Sequence, residues 1–258
     1  MTRTKKISLI ILALLLSAIT VFSGLKIYRE LSDRQKENED FAELAELVVT
    51  PTESEPTAMP GTEETDEPPA EEPAEERRNL APLYEQNADF LGWLCIPNTE
   101  INYPVMHTPN DPQKYLRRNF SGEYSSSGVP FLDWRCDLNS DNLIIYGHNM
   151  NNGTMFGTLK RYTDKDYLAE HPIIEWETES GCERYAVFAV VYVQKTDDWY
   201  GFITAADATG YYEQISNIRC RAMLSTENVP VYGQQLLTLS TCHGSGKNGR
   251  LIVIAVQI

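Results

Sequence analysis

The sequence lacks the excess of basic residues that binding to nucleic acid requires. It contains 22 Lys and Arg against 37 Asp and Glu, which gives a net charge of −15 at pH 7. Because a phosphate backbone is bound by clustered Lys and Arg, this composition argues against nucleic acid as a partner. Fifteen of the acidic residues lie between Glu37 and Glu76, where no basic residue occurs, so the rest of the chain is close to neutral.

Metal-binding sequence patterns are also missing. No two cysteines have C-x-x-C spacing, and no Cys/His cluster has the spacing of a zinc finger, so a structural metal site is not expected. The five cysteines leave at least one thiol unpaired. The other four are expected to be small buried residues or to form one or two disulfides. The cysteines are Cys95, Cys136, Cys182, Cys220 and Cys242.

Charged residues are absent from Ile7 to Leu25, a run of nineteen mostly apolar residues that follows a basic N-terminus. At about 1.5 Å per residue, this run is long enough to cross a hydrocarbon layer of about 30 Å. We interpret residues 7–25 as an uncleaved transmembrane anchor of the cell membrane, with a cytoplasmic tail of residues 1–6 and the remaining chain outside the cell. A cleaved secretory signal is the alternative.

Three segments follow the anchor. Residues 26–49 have the composition of a helix and are expected to form a stalk. Residues 50–79 consist mainly of Pro, Glu and Thr, and so few apolar side chains predict a disordered acidic spacer. Residues 80–258 contain many short β-branched and aromatic runs, which are typical of a β-barrel or sandwich domain.

Two helices are expected to interrupt the strands of this domain. One is a short helix within residues 83–94, at the entry to the domain. The other lies at about 207–222, where one apolar stripe recurs at helical spacing. The stripe consists of Tyr211, Ile215, Ile218 and Ala222.

The segment QQLLTLSTC places Thr238, Ser240 and Cys242 on one face of a strand, since side chains alternate with a period of two. A row of hydroxyl and thiol groups predicts that this face borders a cleft. The turn-forming residues HGSGKNG then lead into RLIVIAVQI, which indicates a hairpin. Cys242 and Arg250 are therefore expected to be neighbours, with the guanidinium able to stabilise a thiolate and an oxyanion.

A thiol nucleophile needs a partner that handles protons, and the chain has four histidines. His107 and His171 lie in segments typical of surface or structural residues. His243 follows Cys242 directly, so it is expected to point to the opposite face of the strand. His148 follows the apolar run NLIIY at the end of a strand and is the candidate partner; a histidine satisfied by backbone carbonyls is the alternative.

The motif TLSTC is similar to the Thr-Leu-x-Thr-Cys signature of sortases, the membrane-anchored cysteine transpeptidases of Gram-positive bacteria. From about Ala88 to Ile258, further blocks resemble class B sortases in the same order: DFLGWLCIPNTEINYPV, YLRRNF, GVPFLD, IIYGHNM and MFGTLKRY. The resemblance implies a mainly β fold, a closed barrel of about eight strands. It also implies an N-terminal helix and a helix inserted between the sixth and seventh strands.

The resemblance also implies roles for individual residues. Cys242 attacks the carbonyl after a threonine in a C-terminal sorting signal, forming a thioacyl enzyme. His148 protonates the departing amine and deprotonates the incoming one, while Arg250 stabilises the oxyanion. No cofactor and no metal ion are implied. Positions that resemble the substrate-binding groove of the family are Ser240, Tyr146 and Leu116.

The partners implied by the resemblance are surface proteins with a C-terminal sorting signal and an amine of a peptidoglycan precursor or cell-wall peptide. Anchoring to the cell wall is the expected function. The alternatives are a pilin-polymerising sortase, a hydrolytic thiol protease and a non-catalytic, membrane-tethered binding module. In NDPQKYL, Pro112 stands where class B sortases often have an asparagine, so the resemblance assigns no substrate contact there.

Overall fold

The computed structural model describes residues 3–48, 78–244 and 248–258. Most of the predicted spacer, residues 50–77, lies outside the described residues. The chain divides into two compact units, Met1–Glu43 and Leu44–Ile258.

One long helix, α1 (Arg3–Val48), forms the described part of the first unit, and its last residues, 44–48, belong to the second unit. This helix includes the residues of the predicted anchor and most of the predicted stalk. Within the described residues, no helix combines the length and the apolar character needed to cross a membrane. Part of the predicted anchor is outside the described residues, since the side chains of residues 7–14 are not among them.

The second unit is built on a sheet whose strands close into a barrel. Its strands are β1 (Phe90–Cys95), β2 (Asn102–Met106), β3 (Phe131–Leu132), β4 (Asn142–Tyr146), β5 (Ile173–Thr178), β6 (Gly181–Gln194), β7 (Leu224–Ser225), β8 (Leu236–Cys242) and β9 (Gly249–Gln257). Pairing follows the order β5-β1-β2-β3-β4-β8-β9-β6, and β6 pairs again with β5, which closes a ring of eight strands. The predicted barrel of about eight strands is confirmed. The ninth strand, β7, extends the sheet beside β6.

Three short helices accompany the barrel: α2 (Ala81–Gln86), α3 (Lys165–Glu170) and α4 (Ala208–Cys220). Helix α4 lies between β6 and β7 in the chain and buries Tyr211, Ile215 and Ile218, as the apolar stripe predicts. The fourth residue of the stripe, Ala222, lies beyond the end of α4 and is half-buried. Three 3₁₀ helices occupy loops, at Lys114–Arg117, Gly157–Thr163 and Asp198–Gly201.

The helix expected within residues 83–94 is wrong beyond Gln86, because β1 begins at Phe90. Packing in the barrel explains the difference. Trp93 and Leu94 are fully buried. Gly92 faces β5 so closely that a Cβ atom there would lie 2.5 Å from the carbonyl oxygen of Glu177. The local helical pattern is thus overridden by strand pairing.

Two of the strand pairs in the ring are parallel, β2 with β3 and β4 with β8. Parallel strands end on the same edge of a sheet, and antiparallel strands joined by a hairpin also meet at one edge. The ends of β4 and β8 and the beginning of β9 therefore meet at one edge of the barrel.

A buried polar network fixes the start of β4 against the loop that covers β8. The Asn142 side chain is fully buried, and its Nδ2 donates to the carbonyl of Phe202 at 2.9 Å. Its Oδ1 accepts from the Thr238 hydroxyl at 2.7 Å. The indole of Trp199 donates in turn to Thr238 Oγ1 at 3.1 Å. Each polar group in this layer has a partner, which makes its burial possible.

Replacing Asn142 by Ala is expected to lower the free energy of unfolding by about 2–4 kcal/mol, because the substitution leaves buried partners unpaired. Urea denaturation of the variant and the parent protein measures this difference. Asn139→Ala, at an exposed asparagine nearby, is the matched control and should have little effect. Equal stability of the two variants would contradict the network.

Candidate active site

Cys242 and Arg250 are directly opposite each other across the β8–β9 hairpin, as predicted. Cys242 is the last residue of β8 and is exposed, whereas the preceding residues of that strand are buried. Beyond this pair, the amide of His243 donates to the carbonyl of Gly249 at 3.0 Å and continues the pairing by one residue. The thiol and the guanidinium thus belong to neighbouring positions at the rim of the barrel.

His148 is brought to the same rim by the parallel pairing of β4 with β8. The register pairs Tyr146 with Ser240. The Gly147 amide continues the ladder by donating to the Ser240 carbonyl at 3.1 Å. Two residues further along the same parallel register, the position of His148 corresponds to that of Cys242.

The imidazole of His148 is oriented by a backbone carbonyl. Its Nε2 lies 2.9 Å from the carbonyl oxygen of Leu116. Because a carbonyl oxygen only accepts, Nε2 carries the proton, and in the neutral ring Nδ1 is the free acceptor. The alternative of a histidine satisfied by a backbone carbonyl is therefore realised at one nitrogen, and the other nitrogen remains available for proton transfer.

Burial sets the protonation of His148. Loss of solvent around the ring lowers the pKa of His148 from its ordinary value of 6.5. The Leu116 carbonyl opposes this change, and the nearby charge of Arg117 adds to it. His148 is accordingly neutral at pH 7.

A cavity of about 690 Å³ opens at this rim. All six residues predicted as catalytic or substrate-binding line it: Cys242, His148, Arg250, Ser240, Tyr146 and Leu116. The predicted cleft along β8 reaches Ser240 and Cys242. It does not reach Thr238, which is fully buried beneath Trp199.

Tyr200, which the sequence analysis missed, forms part of the cavity wall. Its hydroxyl shares a hydrogen bond of 2.7 Å with Ser240 Oγ. Its ring stacks on Tyr146, with centroids 6.1 Å apart. Burial raises the pKa of Tyr200 to about 12, so the phenol stays protonated. The aromatic pair in DDWYG is a weak sign of a binding site, because neighbouring aromatic residues in a sequence usually pack in the core.

Tyr146 is held from its other end by a buried carboxylate. Its hydroxyl donates to Asp133 Oδ2 at 2.8 Å. Arg135 donates to both oxygens of the same carboxylate, from Nε at 2.8 Å and from Nη2 at 2.7 Å. Burial favours the neutral carboxyl, but these hydrogen bonds outweigh it and hold the pKa of Asp133 below its ordinary value. Asp133 and Arg135 were also missed.

The other three histidines lie elsewhere. His243 stacks on Tyr192, with ring centroids 3.9 Å apart. Nδ1 of His171 lies 3.2 Å from the Pro97 carbonyl oxygen, and His107 is half-buried. Among the described residues that line the cavity, none is one of these three histidines.

All five cysteines fall within the described part of the chain, and none of them forms a disulfide. The alternative of one or two disulfides is therefore wrong. The alternative of small buried residues holds for Cys136, whereas Cys95 and Cys182 are half-buried and Cys220 is exposed. Burial raises the pKa of Cys95 and brings that of Cys136 to about 11. Among the described residues, no group of three or more His, Cys, Asp or Glu side chains is arranged to hold a metal ion.

Comparison with known proteins identifies the family. Residues 94–258 match the family model of the sortase domain. The chain is 33% identical to sortase B of Listeria monocytogenes over 94% of its own length and 93% of that protein.

Solved structures show the same fold. A sortase B structure from Bacillus anthracis, in complex with AAEK1, has a TM-score of 0.70 and 28% identity, covering 88% of this chain and 99% of that one. A Staphylococcus aureus sortase B–substrate complex has a TM-score of 0.65 and 26% identity, covering 69% of this chain and 84% of that one. The chain therefore belongs to the sortase family, and within it to the sortase B subtype of cysteine transpeptidases.

Proposed function

We propose that this sortase cleaves a C-terminal sorting signal after a threonine and transfers the protein to an amine of cell-wall peptidoglycan. The observation that carries the proposal is the convergence of Cys242, His148 and Arg250 on one cavity. A nucleophile, a proton carrier and an oxyanion donor are the groups that acyl transfer needs.

The first half of the reaction forms a thioester. Neutral His148 accepts the thiol proton of Cys242 at Nδ1, and the resulting thiolate attacks the carbonyl carbon of the threonine and gives a tetrahedral oxyanion. Arg250 donates hydrogen bonds to that oxygen. Protonated His148 gives its proton to the departing amide nitrogen, the C–N bond breaks, and the C-terminal peptide leaves.

The second half releases the product. An incoming amine attacks the thioester carbonyl, and neutral His148 accepts a proton from the amine through Nδ1. The C–S bond then breaks and returns the thiolate of Cys242. The Nε2–Leu116 hydrogen bond supports this role, because it leaves Nδ1 as the proton-accepting nitrogen of the neutral ring.

The cavity wall beside the nucleophile is assigned to substrate binding. Tyr146 and Ser240 are both held by hydrogen bonds, to Asp133 and to Tyr200 respectively. A wall fixed in this way presents one shape to an extended peptide, which favours selection of a sorting signal. Leu116 also lines the cavity, and its carbonyl oxygen orients the imidazole of His148.

We also propose that residues 7–25 anchor the enzyme in the cell membrane, with residues 1–6 in the cytoplasm and the domain of residues 80–258 outside. The uncharged run behind a basic N-terminus supports this orientation. Residues 26–49 and 50–79 would then serve as stalk and spacer that carry the domain away from the membrane, towards its surface-protein and cell-wall partners.

The nucleophile assignment predicts that Cys242→Ala in the full-length protein forms no transfer product from a sorting-type peptide and an added amine. Mass spectrometry of the products measures this. Cys220→Ala is the matched control, because Cys220 is also an exposed free cysteine but lies on α4. Transfer by Cys242→Ala would contradict the proposal. Hydrolysis that persists at saturating amine would favour the thiol protease instead.

The oxyanion assignment predicts that Arg250→Lys lowers kcat/KM by about 10²-fold, because the point charge of lysine does not reproduce the planar fork of donors. Steady-state kinetics measures the loss. Arg219→Lys makes the same change at an exposed site on α4 and should be nearly silent. Near-normal activity of Arg250→Lys would exclude the role.

The burial of His148 predicts a pH-dependent stability. The unfolded chain binds a proton at His148 near the ordinary pKa of 6.5, whereas the folded protein binds it only at lower pH. The free energy of unfolding contributed by this residue is therefore lost as the pH falls below about 6.5, and His148→Gln should weaken the dependence. Urea denaturation across this range tests it. An NMR titration midpoint of His148 above 6.5 would contradict it.

A further inference from the structure

Asn149, the residue after His148, contacts the strand that carries the nucleophile. Its side-chain Nδ2 donates to the carbonyl oxygen of Cys242 at 2.8 Å. A carbonyl accepts only, so the amide nitrogen rather than the amide oxygen faces Cys242. The contact joins positions 149 and 242, which are 93 residues apart in sequence.

A second side chain makes the reciprocal contact. The hydroxyl of Thr241, which precedes Cys242, donates to the carbonyl of Gly147 at 2.8 Å. Strand β4 ends at Tyr146, and the last backbone contact of the pair is the Gly147 amide on the Ser240 carbonyl. Beyond that point, side chains continue the pairing in both directions and reach the level of the thiol.

The segment that carries Asn149 is itself held closed. The amide of Phe156 donates to the carbonyl of His148 at 2.9 Å, and Asn149 forms an isolated β-bridge with Met155. The His148 ring is fixed by Leu116. These contacts hold the backbone of residues 148 and 149 in place. The hydrogen bond of the Asn149 side chain then connects this segment to the main chain of Cys242.

We propose that Asn149 is a positioning residue for the transfer reaction, holding the main chain of Cys242 in register with His148. The inference rests on the proposed function, in which these two residues share the substrate amide. Proton transfer requires heavy atoms within hydrogen-bond reach, and a misplacement of about 1 Å can lower the rate by about 10²-fold. A single hydrogen bond at the carbonyl of the nucleophile restrains such a displacement.

The test compares Asn149→Ala and Asn149→Asp in the full-length protein. Aspartate keeps the shape of asparagine but, when ionised, has no donor for the Cys242 carbonyl. Asn151→Asp is the matched control, since it introduces the same charge at an exposed position of the same loop. Measurements are kcat and KM with a sorting-type peptide and an added amine, the Tm, and the rate at which iodoacetamide alkylates Cys242.

Both Asn149 variants are expected to lower kcat by about tenfold to a hundredfold and to slow alkylation, with KM within about twofold of the parent value. The Tm should change little, and Asn151→Asp should match the parent protein. In the His148→Gln background, Asn149→Ala should cause little further slowing of alkylation, because it acts through His148.

Normal kcat in Asn149→Ala would overturn the inference, as would a loss that scales with a fall in Tm or one that adds fully to that of His148→Gln. These failures are distinct from a failure of the proposed function. Product formed by Cys242→Ala would remove the function itself, whereas inactive Cys242→Ala beside normal Asn149→Ala would remove only the positioning role.

Discussion

Hydrogen bonding between the parallel strands β4 and β8 determines where the residues of the proposed active site can lie. The strands run side by side from Asn142 paired with Leu236 to Tyr146 paired with Ser240, so both end at the same edge. The hairpin adds the start of β9 to that edge. Residues 148, 242 and 250, which are far apart or separated by a turn in the sequence, consequently reach one cavity. A shift of register by one residue would turn Cys242 to the other face of the sheet.

The hydroxyl groups of β8 are buried because each of them has a hydrogen-bond partner. Thr238 and Ser240 lie on a strand that is almost fully buried, and each hydroxyl is paired with an aromatic residue of the Asp198–Gly201 helix. The same helix presents Tyr200 to the cavity, where it stacks on Tyr146. Because unpaired polar groups in this layer would be costly, its geometry is strongly determined. The groove that faces the thiol is therefore part of the same network that stabilises the barrel.

How far the sequence predicts this site depends on the range of the contacts. The strands and the Cys242–Arg250 pair follow from local patterns, namely alternation and a glycine-rich turn, and the structure confirms them. The place of His148 depends on a parallel pairing between distant strands, which periodicity does not specify; there the resemblance to sortases supplied what the pattern left open.

Local sequence patterns do not predict single contacts between residues that are distant in the sequence. Tyr200 and Asn149 have ordinary local sequences, and their importance comes from one hydrogen bond each to β8. The short helix expected within residues 83–94 ends at Gln86 for a similar reason, since the close approach of Gly92 to β5 is set by barrel closure. Local propensity is a weak guide where strand pairing decides the outcome.

The most direct measurement is a crystal structure of the enzyme trapped as a thioester between Cys242 and a sorting-type peptide. We expect Arg250 to donate to the thioester oxygen at about 2.7–3.1 Å and Nδ1 of His148 to face the space from which the amine enters. A thioester on another cysteine would contradict it. So would an imidazole whose Nδ1 points away from the acyl group while Arg250 contacts only the protein.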